Sequence, residues 1–192
     1  PLAGERAELA ARRADVAFAD AQAVWAARFR AELGRVYAPT ELRHFARATE
    51  SACVAPRKAV GPHYCDATGV AAADLAFLDG LGRRLRNDAE RAAALFVARL
   101  SAAHAAAQLG LSDRPEAADC LAGVWARDAA ARIGPVAPDL YGRMLTSARE
   151  VLRETGGDGA HDARLFAHGE RTLREAGFAR GLAAGEIVAC TG

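Results

Sequence analysis

The stretch Leu100-Ser101-Ala102-Ala103-His104 has the frame of a metal-holding helix but little of its chemistry. Histidines at i and i+4 lie on one helical face and can reach one divalent ion, and a glutamate beside the first can activate a metal-bound water. Of those positions only His104 carries such a group, since Leu100 has no donor atom and Ser101 has no carboxylate. Ser101 and His104 are also neighbours at i and i+3, the spacing of a nucleophile with its base. No strained elbow or oxyanion hole accompanies them, so the pair is not read as catalytic. Ala93, Val97, Leu100, His104 and Ala107 form a nearly apolar stripe. The stripe makes His104 a packed, locally bonded histidine and Leu100 a core residue whose burial contributes roughly 1.5–3 kcal/mol.

The helix that must position these residues runs from about Asp88, read as its N-cap, to Leu109, and closes on Gly110. Upstream, Val16, Ala19, Ala23, Trp25, Phe29 and Leu33 mark a first helix over about 15–33, with residues 1–14 a flexible or helical extension. Val36 to Thr49 reads as a strand entered through a turn at Pro39, and Gly61 to Val70 as a hairpin. From Asp74 the pattern is helical, with breaks near Gly80 to Gly82, Leu109 to Arg114, Gly134 to Pro138 and Thr155 to Gly159. Further helices are predicted over Pro115–Ile133, with the proline in the first turn, and over about 138–154 and 163–182. Gly156-Gly157-Asp158-Gly159 reads as a flexible loop. The expectation is a predominantly helical α+β chain forming one domain over 1–192, with a small antiparallel sheet or hairpin.

The bulk composition excludes several classes. At 192 residues and 52% hydrophobic content the chain can bury one real core. Its 25 basic and 24 acidic side chains are interspersed, which argues against a nucleic-acid partner and against a polybasic membrane patch. No run reaches the roughly 18–20 apolar residues that span a bilayer. The sequence begins at Pro1, so an upstream segment such as a signal peptide or a membrane anchor is expected to have been removed. The four cysteines form no CxxC pair. Two disulfides in an oxidising compartment is the preferred reading, with reduced, buried thiols as the alternative.

Several blocks resemble the neutral zinc metallopeptidase family of bacteria, a zincin-like group. Ser51-Ala52-Cys53, Gly61-Pro62-His63-Tyr64-Cys65 and Asp74-Leu75 resemble its S-A-C, G-P-F-Y-C and D-L elements. Ala118-Asp119-Cys120-Leu121-Ala122-Gly123-Val124-Trp125-Ala126 resembles its A-D-C-Y-A-G-V-W-A block, the most specific signal. Ala167-His168-Gly169, Arg171, Gly177-Phe178 and Ala189-Cys190 resemble its later elements, so the likeness spans about Phe18 to Cys190.

The resemblance implies a zincin-like domain whose zinc sits on an H-E-x-x-H helix, with a further glutamate ligand four residues before the aspartate of the A-D-C block. Here the first histidine position is read as Leu100, the general base as Ser101, the second histidine as His104 and the glutamate as Pro115. Three of the four positions therefore lack the required group. Glu116, Asp119 and His168 are the remaining vestigial candidates, which only a displaced site could gather around zinc with His104. In the family, Asp119 would orient a ligand histidine; without that ligand it is read as a cap or a salt bridge to an arginine such as Arg114. His168 is read as a helix cap or a remnant oxyanion stabiliser, and His63, in place of the family's phenylalanine, as a packing or solvent-facing change. Cys53 and Cys65 flank the hairpin, and pairing them would add about 3 kcal/mol of loop entropy; Cys120 with Cys190 would add somewhat over ~4 kcal/mol. The expectation is an inactive homologue that binds or scaffolds a protein or peptide outside the cytoplasm, without a cofactor. The alternative is a zinc peptidase with a displaced site.

Overall fold

The computed structural model describes residues 4–46, 49, 51–54, 61–154 and 170–192. Its α-helices are α1 (Gly4–Leu33), α2 (Leu75–Leu85), α3 (Ala89–Gln108), α4 (Pro115–Ile133), α5 (Pro138–Glu154) and α6 (Arg171–Ala184). Three short strands, β1 (Leu42–Phe45), β2 (His63–Cys65) and β3 (Val70–Asp74), form one sheet in the order β1-β3-β2. The chain is a single α+β domain, predominantly helical. None of the described helices is long and apolar enough to cross a membrane.

The expected hairpin is present, and the sheet it belongs to is mixed rather than antiparallel. β2 pairs antiparallel with β3, Tyr64 opposite Ala71, across a tight turn in which Gly69 takes φ +68° and donates its amide to Cys65 O at 2.8 Å. β1 pairs parallel with β3, from Leu42 opposite Ala71 to Phe45 opposite Asp74. The residues between β1 and β3 supply the crossover length that a parallel pair requires. β3 ends in Asp74, whose carboxylate accepts from the amides of Ala76 and Phe77 and so starts α2.

One helix break and one side-chain cap differ from the sequence reading. α2 runs through Gly80 and Gly82 because Gly80 faces α5, where a Cβ would lie 2.9 Å from Val151 Cγ1. The absent side chain lets two helices approach, and the helix stops instead at Arg86, with φ +42°. Asp88 precedes α3 but makes no side-chain cap. Its carboxylate takes Arg91 at 2.6 Å and Arg143 at 2.9 Å, which ties α3 to α5 and, through those hydrogen bonds, lowers its pKa. The expected loop at Gly156–Gly159 and the first part of the last predicted helix lie outside the described residues.

The core lies where α3 meets α1, α4 and the sheet, with Trp25, Phe29, Phe96, Leu121 and Trp125 essentially fully buried. α4 and α6 cross at backbone distance. A Cβ on Gly177 would lie 2.7 Å from Glu116 O, and one on Gly123 or Gly181 would overlap the partner backbone. Cys120–Cys190 then fixes the C-terminal tail to α4, and Cys53–Cys65 ties the segment before β2 to the strand itself, leaving no free cysteine. Both pairings are those anticipated from the sequence.

Candidate functional site

Leu100 is packed in the core of α3 at 2% exposure. The stripe around it is shifted from the expected one: Val97 is buried, whereas Ala93, His104 and Ala107 are only half-buried. Ser101 is fully buried, and its Oγ accepts the indole N–H of Trp25 on α1 at 3.0 Å. The Tyr37 hydroxyl donates to Gln22 Oε1 at 3.4 Å, and burial raises its phenol pKa. A fully buried serine spent on an indole donor is a structural hydroxyl.

His104 faces the sheet and the segment after α1. Its Nε2 lies 2.8 Å from Ala38 O and its Nδ1 2.9 Å from the Tyr64 hydroxyl. A carbonyl only accepts, so Nε2 carries a proton and donates to Ala38 O, while the Tyr64 hydroxyl occupies Nδ1. Tyr37 and Tyr64 meet the ring edge-on, with centroids 5.7 and 5.5 Å away. Burial, with Asp66 nearby, pushes the Tyr64 phenol up to about 12, so it remains a donor at neutral pH. Neither nitrogen of His104 presents a lone pair to a metal.

The segment that His104 contacts is held by two glutamines acting as surrogate strand partners. Gln108 accepts from Ala38 N and donates to Ala38 O, both at 2.9 Å. Gln22 accepts from Thr40 N at 2.6 Å and donates to Thr40 O at 2.8 Å. On the neighbouring strand, His63 is buried rather than solvent-facing: Nδ1 donates to Gly61 O at 3.1 Å and the ring packs edge-on against Phe45. Burial lowers its pKa, so it is held neutral.

Asp119 is fully buried at the other end of the site. Arg99 of α3 and Arg174 of α6 form salt bridges with it, the latter through Nε at 2.8 Å and Nη2 at 3.0 Å, and the Tyr141 hydroxyl of α5 donates to it. Burial alone would raise its pKa, but the charges of both guanidiniums and the hydrogen bonds hold the carboxyl below the ordinary carboxylate range. Burial raises the Tyr141 phenol, reinforced by the adjacent carboxylate. The expected partner, Arg114, instead reaches Glu116 at 3.2 Å and the Gly192 carbonyl at 2.7 Å. It sits outside the α4 face that carries Asp119, because it precedes the first turn of that helix.

Pro115 occupies the first turn of α4, half-buried and without a donor atom. His168 lies outside the described residues. Among the described residues no three His, Cys, Asp or Glu side chains are grouped so as to hold a metal ion. The donor chemistry agrees with that geometry. Leu100 and Pro115 cannot ligate, His104 uses both nitrogens, Glu116 pairs with Arg114, and Asp119 is saturated by cations. The described residues do not fit zinc.

Arg99, Arg174 and Tyr141 were not foreseen. A signal existed for Arg99, an arginine inside the apolar run Val97-Ala98-Arg99-Leu100, because a buried arginine requires a buried carboxylate and Asp119 is the charged residue of an equally apolar block. The family model described as "Putative neutral zinc metallopeptidase" matches the chain over residues 2–118 and 102–192, together nearly its whole length. No curated protein and no solved structure matched the chain.

Proposed function

This chain belongs to the neutral zinc metallopeptidase family as a degenerate member, and on that premise we propose that it is catalytically inactive and works by binding or scaffolding a protein or peptide in an extracytoplasmic compartment. The observation that carries the reading is that each candidate donor among the described residues is already committed: His104 to Ala38 and Tyr64, Glu116 to Arg114, and Asp119 to Arg99 and Arg174. Hydrolysis at a zinc centre needs three protein ligands, an open coordination position and a base beside it. Ser101, in the position read as the base, faces the Trp25 indole and has no carboxylate to move a proton.

Loss of chemistry with retention of the frame fits a protein kept for its surface. Two disulfides fit an oxidising setting, where thiol pairs persist. The near balance of acidic and basic side chains fits a protein or peptide partner better than a nucleic acid. The test is metal analysis by mass spectrometry on protein purified without chelator, combined with a peptide-hydrolysis assay. Substoichiometric zinc and no turnover are expected. Stoichiometric zinc, with hydrolysis abolished in His104→Ala, would overturn the reading in favour of a displaced metal site.

A further inference from the structure

The polar contact between α3 and α4 is made from Arg99, whereas His104 bonds the sheet and the segment after α1. Asp119 reaches across from α4, and the α3 residue it meets is Arg99. α3 ends at Gln108 and α4 begins at Pro115, so the short connection makes them antiparallel neighbours. One turn from Asp119 toward the start of α4 is Pro115, and one turn from Arg99 toward the end of α3 is Ala103. In an antiparallel pair those two steps run in the same direction, which places Ala103 opposite Pro115. The neighbouring positions point elsewhere: Ser101 bonds Trp25 of α1, and His104 bonds Tyr64 of β2 and Ala38.

We propose that Arg99 and Ala103, rather than Leu100 and His104, occupy the two α3 positions that face Pro115 and Asp119, and that the Arg99 guanidinium has replaced a metal-ligand centre as the tie between these helices. The assignment rests on the metal-free reading above and deepens it. A buried carboxylate that would orient a ligand histidine has no use for a leucine, but it needs a donor and a positive charge. Arg99 supplies both from the position one turn away from Ala103, and Arg174 adds a second guanidinium from α6. A guanidinium stays protonated and presents several donors in a fixed plane, so it needs no metal to hold the carboxylate. Ala103 and Pro115 are half-buried, which places this face at a rim of the core. His104 then belongs to the α3–sheet contact and is no remnant of a ligand set.

Two double-cysteine variants read the facing residues directly: Ala103→Cys with Pro115→Cys, and His104→Cys with Pro115→Cys, oxidised with the native pairs intact and mapped as non-reduced peptides. Closure of the first pair is expected, because facing positions fall within the Cα span of about 4.4–6.8 Å that a disulfide bridges. Closure of the second pair alone, or of neither, overturns the assignment. Zinc reconstruction provides a second readout. The variant Arg99→His, Leu100→Glu, Ala103→His, Pro115→Glu should retain about one zinc per chain after dialysis, with a raised Tm. The variant Leu100→His, Ser101→Glu, Pro115→Glu, which keeps His104, should retain none, and zinc in this variant alone refutes the proposal. The zinc content of the unaltered protein tests the metal-free reading separately, so the two can fail independently.

Discussion

Five residues of α3 separate two polar centres built on opposite physical terms. At Arg99 the helix joins an ionic cluster in which Asp119, Arg174 and Tyr141 bring in three other helices and in which the carboxylate has no exposure. At His104 it joins a half-buried network of neutral groups, two phenols, a carbonyl and a glutamine amide, tied to the sheet and the segment after α1. Removing one member of a buried ion cluster strands the other charges, whereas removing one member of a half-buried neutral network lets water take its place. The first centre should therefore be intolerant of change and the second permissive, although both lie beside positions read as a lost zinc site.

Asp119→Ala should break the comparison most visibly. It leaves Arg99 and Arg174 buried beside no carboxylate and is expected to cost about 3–5 kcal/mol, read as a shift in the urea unfolding midpoint. A cost near that of an exposed ion pair would show that the cluster contributes little. Its pH signature has a definite sign. The folded pKa of Asp119 is depressed, so its contribution is complete above the unfolded value of about 4 and disappears as pH falls through the lower folded value. Asp119→Asn should lack that acid-limb slope.

Next in size is Gly181→Ala, in the α4–α6 crossing beside the ionic centre. The added Cβ overlaps the Cys120 carbonyl oxygen, which is backbone and cannot rotate away. A loss of about 1–3 kcal/mol is expected, while Gly110→Ala, whose Cβ would meet nothing within 4 Å, should lose only what its φ of +75° imposes.

Ser101→Ala leaves the buried Trp25 indole without its acceptor and should cost about 1–2 kcal/mol by thermal or urea unfolding. His104→Ala, at the permissive centre, should cost about 0.5–1.5 kcal/mol. If His104→Ala proved more damaging than Asp119→Ala, the contrast between the two centres would be reversed.

The smallest effect sharpens the contrast by its pH window. His63, beside Tyr64, has a folded pKa lowered by burial. The unfolded chain therefore binds the extra proton first, and stability falls as pH drops through the unfolded value of about 6.5. His63→Phe should remove that slope between about pH 5 and 7 and leave the Asp119 slope at lower pH unchanged.

The two centres were unequally legible in the sequence. The helices over Pro115–Ile133 and Pro138–Glu154 matched their predicted bounds, because a proline opens each first turn and their apolar spacing is helical. The disulfide partners could be read from family blocks and from the hairpin they flank. Gly80 and Asp88 misled because each resembles a local signal, a helix break and a cap, while serving a contact with α5 distant in sequence. Asp119 stands out in the sequence, but the sequence offers Arg114, a chain neighbour, as its partner, whereas Arg99 and Arg174 lie 20 and 55 residues away.

Sequence alone determined which chemistry is missing, since no packing can give Leu100 or Pro115 a metal-donor atom or Ser101 a carboxylate. It also determined the helical class and the family. Only the tertiary structure decided what the remaining polar groups do. Hydrogen-bond partners of buried groups are set by which helix faces meet, and five positions along α3, about 140° around its axis, separate a histidine on the sheet from an arginine on a buried aspartate.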